Sequence, residues 1–117
     1  MKTIIRIQHE TGNGLWRTMI EGDFLCTSLS FHDELSEKHE DFPTPAQENH
    51  FLKKEEFCAF KSIEQLQEWI KPNWFKEIMD LGFRILMIEV SEAITLTYQV
   101  MYEKQNITKI SDISKLF

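Results

Sequence analysis

The sequence predicts an α+β domain: a mostly antiparallel sheet of about four strands with three to four short helices packed on one face. Short β-rich runs recur from end to end, at Thr3–His9, Glu56–Ser62, Phe83–Val90 and Ala93–Tyr102. Between the second and third of these, two stretches carry apolar residues at helical spacing, with their own start and stop signals. The resulting order, β, (β), α, β, α, α, β, β, α, is that of an α+β domain with a mostly antiparallel sheet. A chain of 117 residues, 42% apolar, with nine Phe and three Trp, can bury one core without a metal or disulfide staple. One domain spanning residues 1–117 is expected.

The elements follow in order. "TIIRIQH" (Thr3–His9) is short and β-branched and reads as a strand, with Arg6 interrupting one face. "GNG" (Gly12–Gly14) marks a turn, after which "LWRTMI" either pairs back or runs along the sheet edge. Ser30 with Asp33 three residues on resembles a helix N-cap; Phe31 and Leu35 then fall at helical spacing, giving a short amphipathic helix to about His39. "DFPTPAQENHF" is irregular, because Pro43 and Pro45 each remove a backbone donor and push the preceding residue out of the α region.

"EFCAFKS" reads as a buried strand, and Ser62 with Gln65 at N3 forms a capping box for the helix that follows. Ile63, Leu66, Trp69 and Ile70 make that helix's core-facing stripe. Pro72 or Asn73 opens a second helix with Phe75, Ile78, Met79 and Leu81 on its apolar side and Gly82 at C′. "FRILMIEV" and "AITLTYQVMY" read as two strands joined by a tight "SE" connection, hence an antiparallel pair. "SDISKLF" closes the chain as a helical turn docking Ile113, Leu116 and Phe117.

Most chemistries find no support. His32, His39 and His50 lie among carboxylates, but "HDELSEKHE" lacks the H-E-x-x-H spacing. On a straight helix His32 and His39 stand roughly 10 Å apart along the axis, too far for one ion. No G-x-S-x-G elbow is present, and neither Cys26 nor Cys58 stands beside a histidine. Both cysteines sit in apolar company and are expected to be buried free thiols, in keeping with a reducing cytoplasm. The N-terminus is too short and polar for a signal peptide, and no apolar window is long enough to span a membrane. No catalytic residue, metal or cofactor is assigned. Arg6 needs a partner if buried, and Glu89, within the apolar "RILMIEV", is the candidate for an ion pair.

Charge is the strongest functional signal. Between His32 and Glu56 eight acids stand against three lysines, so this window carries −5 of the net −6. That argues against direct nucleic-acid binding, which needs a basic footprint, and permits attraction to a basic surface on another macromolecule. The plain alternative is a solvated helix face followed by a polar loop. Trp16 and Arg17 beside the glycine turn form either an exposed aromatic–cation patch or, for Trp16, part of the core.

The segments Gly14–Trp16, Pro43–Pro45, Phe60–Trp69 and Gln99–Tyr102 together resemble a family of small, largely uncharacterised proteins of phages and their bacterial hosts. Its members share a Gly-aromatic turn, a P-T-P loop, an F-x-S-x-E-Q-L-x-x-W/F segment and a final strand with Q-V before an aromatic. A histidine associated with the position before P-T-P is replaced by Phe42. In size, charge and lack of active-site motifs the chain is similar to the anti-CRISPR proteins as a class. The acidic window and this likeness of class together point to a non-catalytic interaction protein whose partner has a basic surface and is exemplified by a CRISPR effector nuclease, and no membrane involvement is expected. Glu34, Glu37, Glu40 and Asp41 would steer it, while Trp16, Arg17 and Phe42 supply contacts at its surface. The alternative is a small nucleotide-acting enzyme of ADP-ribosyl-transfer type, with Arg6 on a phosphate and Glu64 or Glu89 as the acid.

Overall fold

The computed structural model describes residues 1–15, 19–20, 22–34, 56–96 and 99–117. Eight strands occur among them: β1 (Lys2–His9), β2 (Met19–Ile20), β3 (Asp23–Phe24), β4 (Glu56–Ala59), β5 (Phe83–Val90), β6 (Ile94–Thr95), β7 (Val100–Glu103) and β8 (Ile107–Asp112). Two α-helices, α1 (Ile63–Trp69) and α2 (Phe75–Asp80), lie between β4 and β5, with a 3-10 turn at Pro72–Trp74 leading into the second. The fold is α+β as expected, but six strands form two three-stranded antiparallel sheets, β1-β5-β8 and β4-β7-β6, where about four in one sheet were expected. The short β2–β3 ladder stands apart.

Strand β1 explains the layering. Side chains alternate across a strand, yet Ile4, Ile5, Arg6 and Ile7 are all buried. Ile5 and Ile7 join Phe83 and Ile85 in the main core beneath Leu66, Trp69, Phe75 and Ile78 of the helices. Ile4, with Ile88 and Val90, turns the other way onto Ala59, Val100 and Tyr102 of the second sheet. The first sheet is thus covered on both faces, by helices on one and by strands on the other. The sheets are hinged together just past β4, where Phe60 and Ile5 exchange both backbone hydrogen bonds (3.0 and 2.7 Å).

Both helices follow their sequence signals. The Ser62 hydroxyl accepts from the Gln65 backbone N–H at 3.1 Å, and the Gln65 side chain reaches back to the N–H of Lys61 at 2.7 Å. This is the expected capping box, displaced by one residue on its return bond. Gly82, at φ +96°, ends α2 in the left-handed region. Three expectations need correction. The runs at 83–90 and 93–102 do not pair: β5 is the centre of its sheet between β1 and β8, while β6 and β7 pair with each other in the second sheet. "SE" is the exit from one sheet to the other, and it lacks the Gly or Asn that a two-residue hairpin turn demands.

The chain then returns as β8, a strand not foreseen from the sequence. The 3-10 turn Ser114–Leu116 follows it, with Phe117 against Phe75 (centroids 4.6 Å apart), but Leu116 is 70% exposed rather than docked. Lastly, Arg6 and Glu89 do not pair. Arg6 lies opposite Leu86 and Glu89 opposite Thr3, an odd number of residues away, so their side chains leave opposite faces of the sheet.

Candidate functional site

The acidic segment joins the folded body at its two described ends. At the first, Phe31 is buried and stacked flat on Trp74 (centroids 4.2 Å, planes 2° apart). Ser30 is clamped to α2: its backbone N–H and hydroxyl donate to the two oxygens of Glu77 at 2.7 and 2.6 Å. These bonds favour the ionised form and hold the Glu77 carboxyl below its ordinary range, the hydroxyl contributing most. The Ser30 hydroxyl thus links the start of the helical turn at residues 32–34 to α2, while the helix expected to run on from it to about His39 lies mostly outside the described residues. Glu34, exposed at the end of this turn, pairs with Lys71 at 2.8 Å, and the same ammonium sits 5.1 Å from the Trp74 ring centroid. At the far end Glu56, buried, opens β4 directly opposite Glu103 of β7.

Of the residues expected to contact a partner, Glu34 is thus placed at the surface beside an aromatic anchor. Trp16, Arg17, Glu37, Glu40, Asp41 and Phe42 lie outside the described residues, as do His39, His50 and the P-T-P loop.

Arg6 is a structural group. Its guanidinium donates to the Cys58 carbonyl (2.7 Å), the Gln8 side-chain oxygen (3.0 Å) and the Gly12 carbonyl (3.4 Å), and it stands 5.1 Å from the Phe57 ring centroid. Gly14 passes so close that a Cβ there would lie 3.4 Å from Arg6 Nη2. One side chain therefore ties β1 to β4 and to the glycine turn. The residues of the ADP-ribosyl-transfer alternative are not brought together: Arg6 points between the sheets, while Glu89 leaves the opposite face, on which α1, the helix of Glu64, packs. Cys26 and Cys58 are free; the first is buried, which raises its thiol pKa, and the second is half-buried rather than fully buried.

One feature escaped the sequence reading altogether. A groove of about 500 Å³ opens at the end of the paired sheets, lined among others by Lys2, Glu56, Glu92, Ile94, Tyr102 and Glu103. Its carboxylates come from three separate stretches of chain, so no spacing in the sequence could have shown it. Among the described residues no helix is long and apolar enough to cross a membrane.

Comparison with known proteins adds one finding: a family model described as "Bacteriophage T4 Y00F protein" matches residues 1–115. No curated protein and no solved structure matches the chain.

Proposed function

The chain belongs to the bacteriophage T4 Y00F protein family, and from that premise we propose that it is a non-catalytic phage protein that acts by binding. Its acidic segment, Phe31–Glu56, engages the basic, nucleic-acid-binding surface of a host defence nuclease, for which a CRISPR effector is the first candidate. The observation that carries this reading is the concentration of −5 charges in one window whose described ends are both joined to a folded body. Phe31 and the Ser30–Glu77 clamp hold one end, and β4 holds the other. Concentrated charge of one sign favours steering toward a surface of the opposite sign.

The exposed Glu34 beside Lys71 and Trp74 offers both signs of charge and an aromatic at the root of the segment. With Arg6 committed to internal hydrogen bonds, its place in a phosphate-gripping cleft has no support. Pull-down from host lysate at low and high salt is the test. A basic nuclease or its guide-RNA complex should be captured at low salt, released at high salt, and lost on combined charge reversal of Glu34, Glu37, Glu40 and Asp41. Retention of the same partner by the reversed protein would sink the reading.

A further inference from the structure

Independently of the binding reading above, we propose that β8 is a pairing edge, through which two copies of the chain join antiparallel into one continuous sheet centred on Ile110. The other sheet edges are short or taken. On its outer side β1 is bridged by Phe60 and Gly14, β6 has only two residues, and the Cys58 carbonyl of β4 accepts from Arg6. Strand β8 is six residues long, contains neither Pro nor Gly, and among the described residues is paired on one side only.

Which backbone groups this edge offers follows from the ladder. Ile5 exchanges its backbone hydrogen bonds with Phe60, so Met87, opposite Ile5, turns its own toward Ser111 of β8. The Ile113 N–H, bonded to the Ile85 carbonyl at 2.9 Å, keeps the same alternation. Lys109, Ser111 and Ile113 therefore face β5, and the N–H and C=O of Ile110 and Asp112 point out of the sheet edge. Such an edge is a template for another strand, and proteins ordinarily blunt it with charge, proline or a bulge. Here the bulge falls at the start of β8, opposite Glu89 and Val90. Lys109 is the strand's one cation, and Glu89 stands opposite it on β5. The middle of the edge carries Ile110, 51% exposed. Thr108, Lys109, Ile110 and Asp112 are all exposed, so neither the helices nor the second sheet overhangs the edge.

The order of side chains along β8 suits a second copy in one register. A two-fold axis sets one outward-facing residue against itself and pairs the others about it. Centred on Ile110, the two Ile110 side chains form an apolar cross-strand pair. Lys109 then meets Ser111 of the second copy, and Thr108 meets its Asp112, so no like charges lie directly opposite. Centred on Asp112, two carboxylates would face each other, and Thr108 falls at the bulge. Six residues a side bury less than the roughly 1,200 Å² of a stable interface, so the dimer is weak and forms with concentration.

The test is sedimentation equilibrium of the full chain from about 10 μM to about 1 mM, with hydrogen exchange and NMR on the same samples. The average mass should rise toward twice the monomer. As it does, the Ile110 and Asp112 amides should gain protection, while those of Lys109 and Ser111, already bonded to β5, should not change. Mixed labelled and unlabelled chains should show an interchain contact between Hα of Lys109 and Hα of Ser111, the closely spaced pair of this register. Ile110→Pro removes only an outward N–H, which an edge strand tolerates, and Ile110→Lys sets two cations face to face. Each should weaken dimerisation by at least about tenfold, with the NMR fingerprint of the monomer kept. A constant monomer mass across the range overturns the proposal. So does a dimer that both variants leave intact, because its interface lies elsewhere. Ile110 and Asp112 amides already protected in the dilute monomer would overturn it as well, since the chain would then cover its own edge.

Discussion

Arg6 shows how a buried cation can be kept with no carboxylate among the described residues paired to it. Its charge is spread over a guanidinium, which is more weakly hydrated than an ammonium and so costs less to bury. Two carbonyls, an amide oxygen and an aromatic face then replace the lost water. Arg6→Ala should cost about 3 kcal/mol, from a cavity between the sheets and an unsatisfied Cys58 carbonyl. Glu89→Gln should stay within about 0.5 kcal/mol, as for an ordinary surface change. Urea midpoints measure both, and equal, non-additive losses would restore the ion pair that the sequence had implied. Glu77 offers a second residue-level test. Its folded pKa is depressed by Ser30, so the clamp contributes stability above the unfolded carboxyl pKa and loses it as pH falls through the folded value. In Ser30→Ala the Glu77 side-chain titration, followed by NMR, should move up toward the ordinary range.

Among the elements, those with local signals were legible and those without were not. Helix α1 announces itself by its Ser62 cap and its apolar stripe, and Leu66, Trp69 and Ile70 are all buried as that stripe requires. The end of α2 is equally local, yet the structure adds a reason that the sequence could not. Gly82 needs φ +96°, and a Cβ there would sit 3.0 Å from Nε2 of the buried His9 ring. Gly82→Ala should therefore destabilise by more than the roughly 1 kcal/mol of backbone strain alone; thermal melts of Gly82→Ala alone and with His9→Ala would separate the two parts. Strand β8 lacked any comparable signal. Its residues are mostly exposed, with Ile110 itself half in solvent, and an edge strand with little to bury has no strong apolar alternation to read.

On the scale of the molecule, β5 is the organising strand. Flanked by β1 and β8 and packed on both faces, it ends at Val90, and from Ser91 the chain leaves for the second sheet. The Ser91 N–H bond to the Asn106 carbonyl (2.9 Å) closes that excursion before the chain comes back as β8. Amide hydrogen exchange should accordingly be slowest in β5 and in the β1 amides facing it, and faster in β8, where one edge of the strand has no neighbour in the sheet among the described residues. Uniform protection across β1, β5 and β8 would contradict this hierarchy. The same excursion assembles the groove, because it brings Glu92 and Ile94, just past β5, beside Tyr102 and Glu103 at the end of β7.

By itself the sequence determined the fold class, both helices with their caps, the segments that become β1, β4 and β5, and the placing of nearly all the net charge in one window. Each of these is a local property: a periodicity, a cap, a glycine after a helix, or a count. Only the tertiary structure decided that the strands divide between two sheets, that the run at 93–102 folds as its own hairpin, that Arg6 is satisfied by carbonyls, and that three distant carboxylates share a groove with Tyr102. Strand alternation tells which face of a strand is apolar but not which strand lies beside it. Pairing is chosen by the burial of both faces of β1 and β5 at once, a condition that exists only when the whole chain is folded.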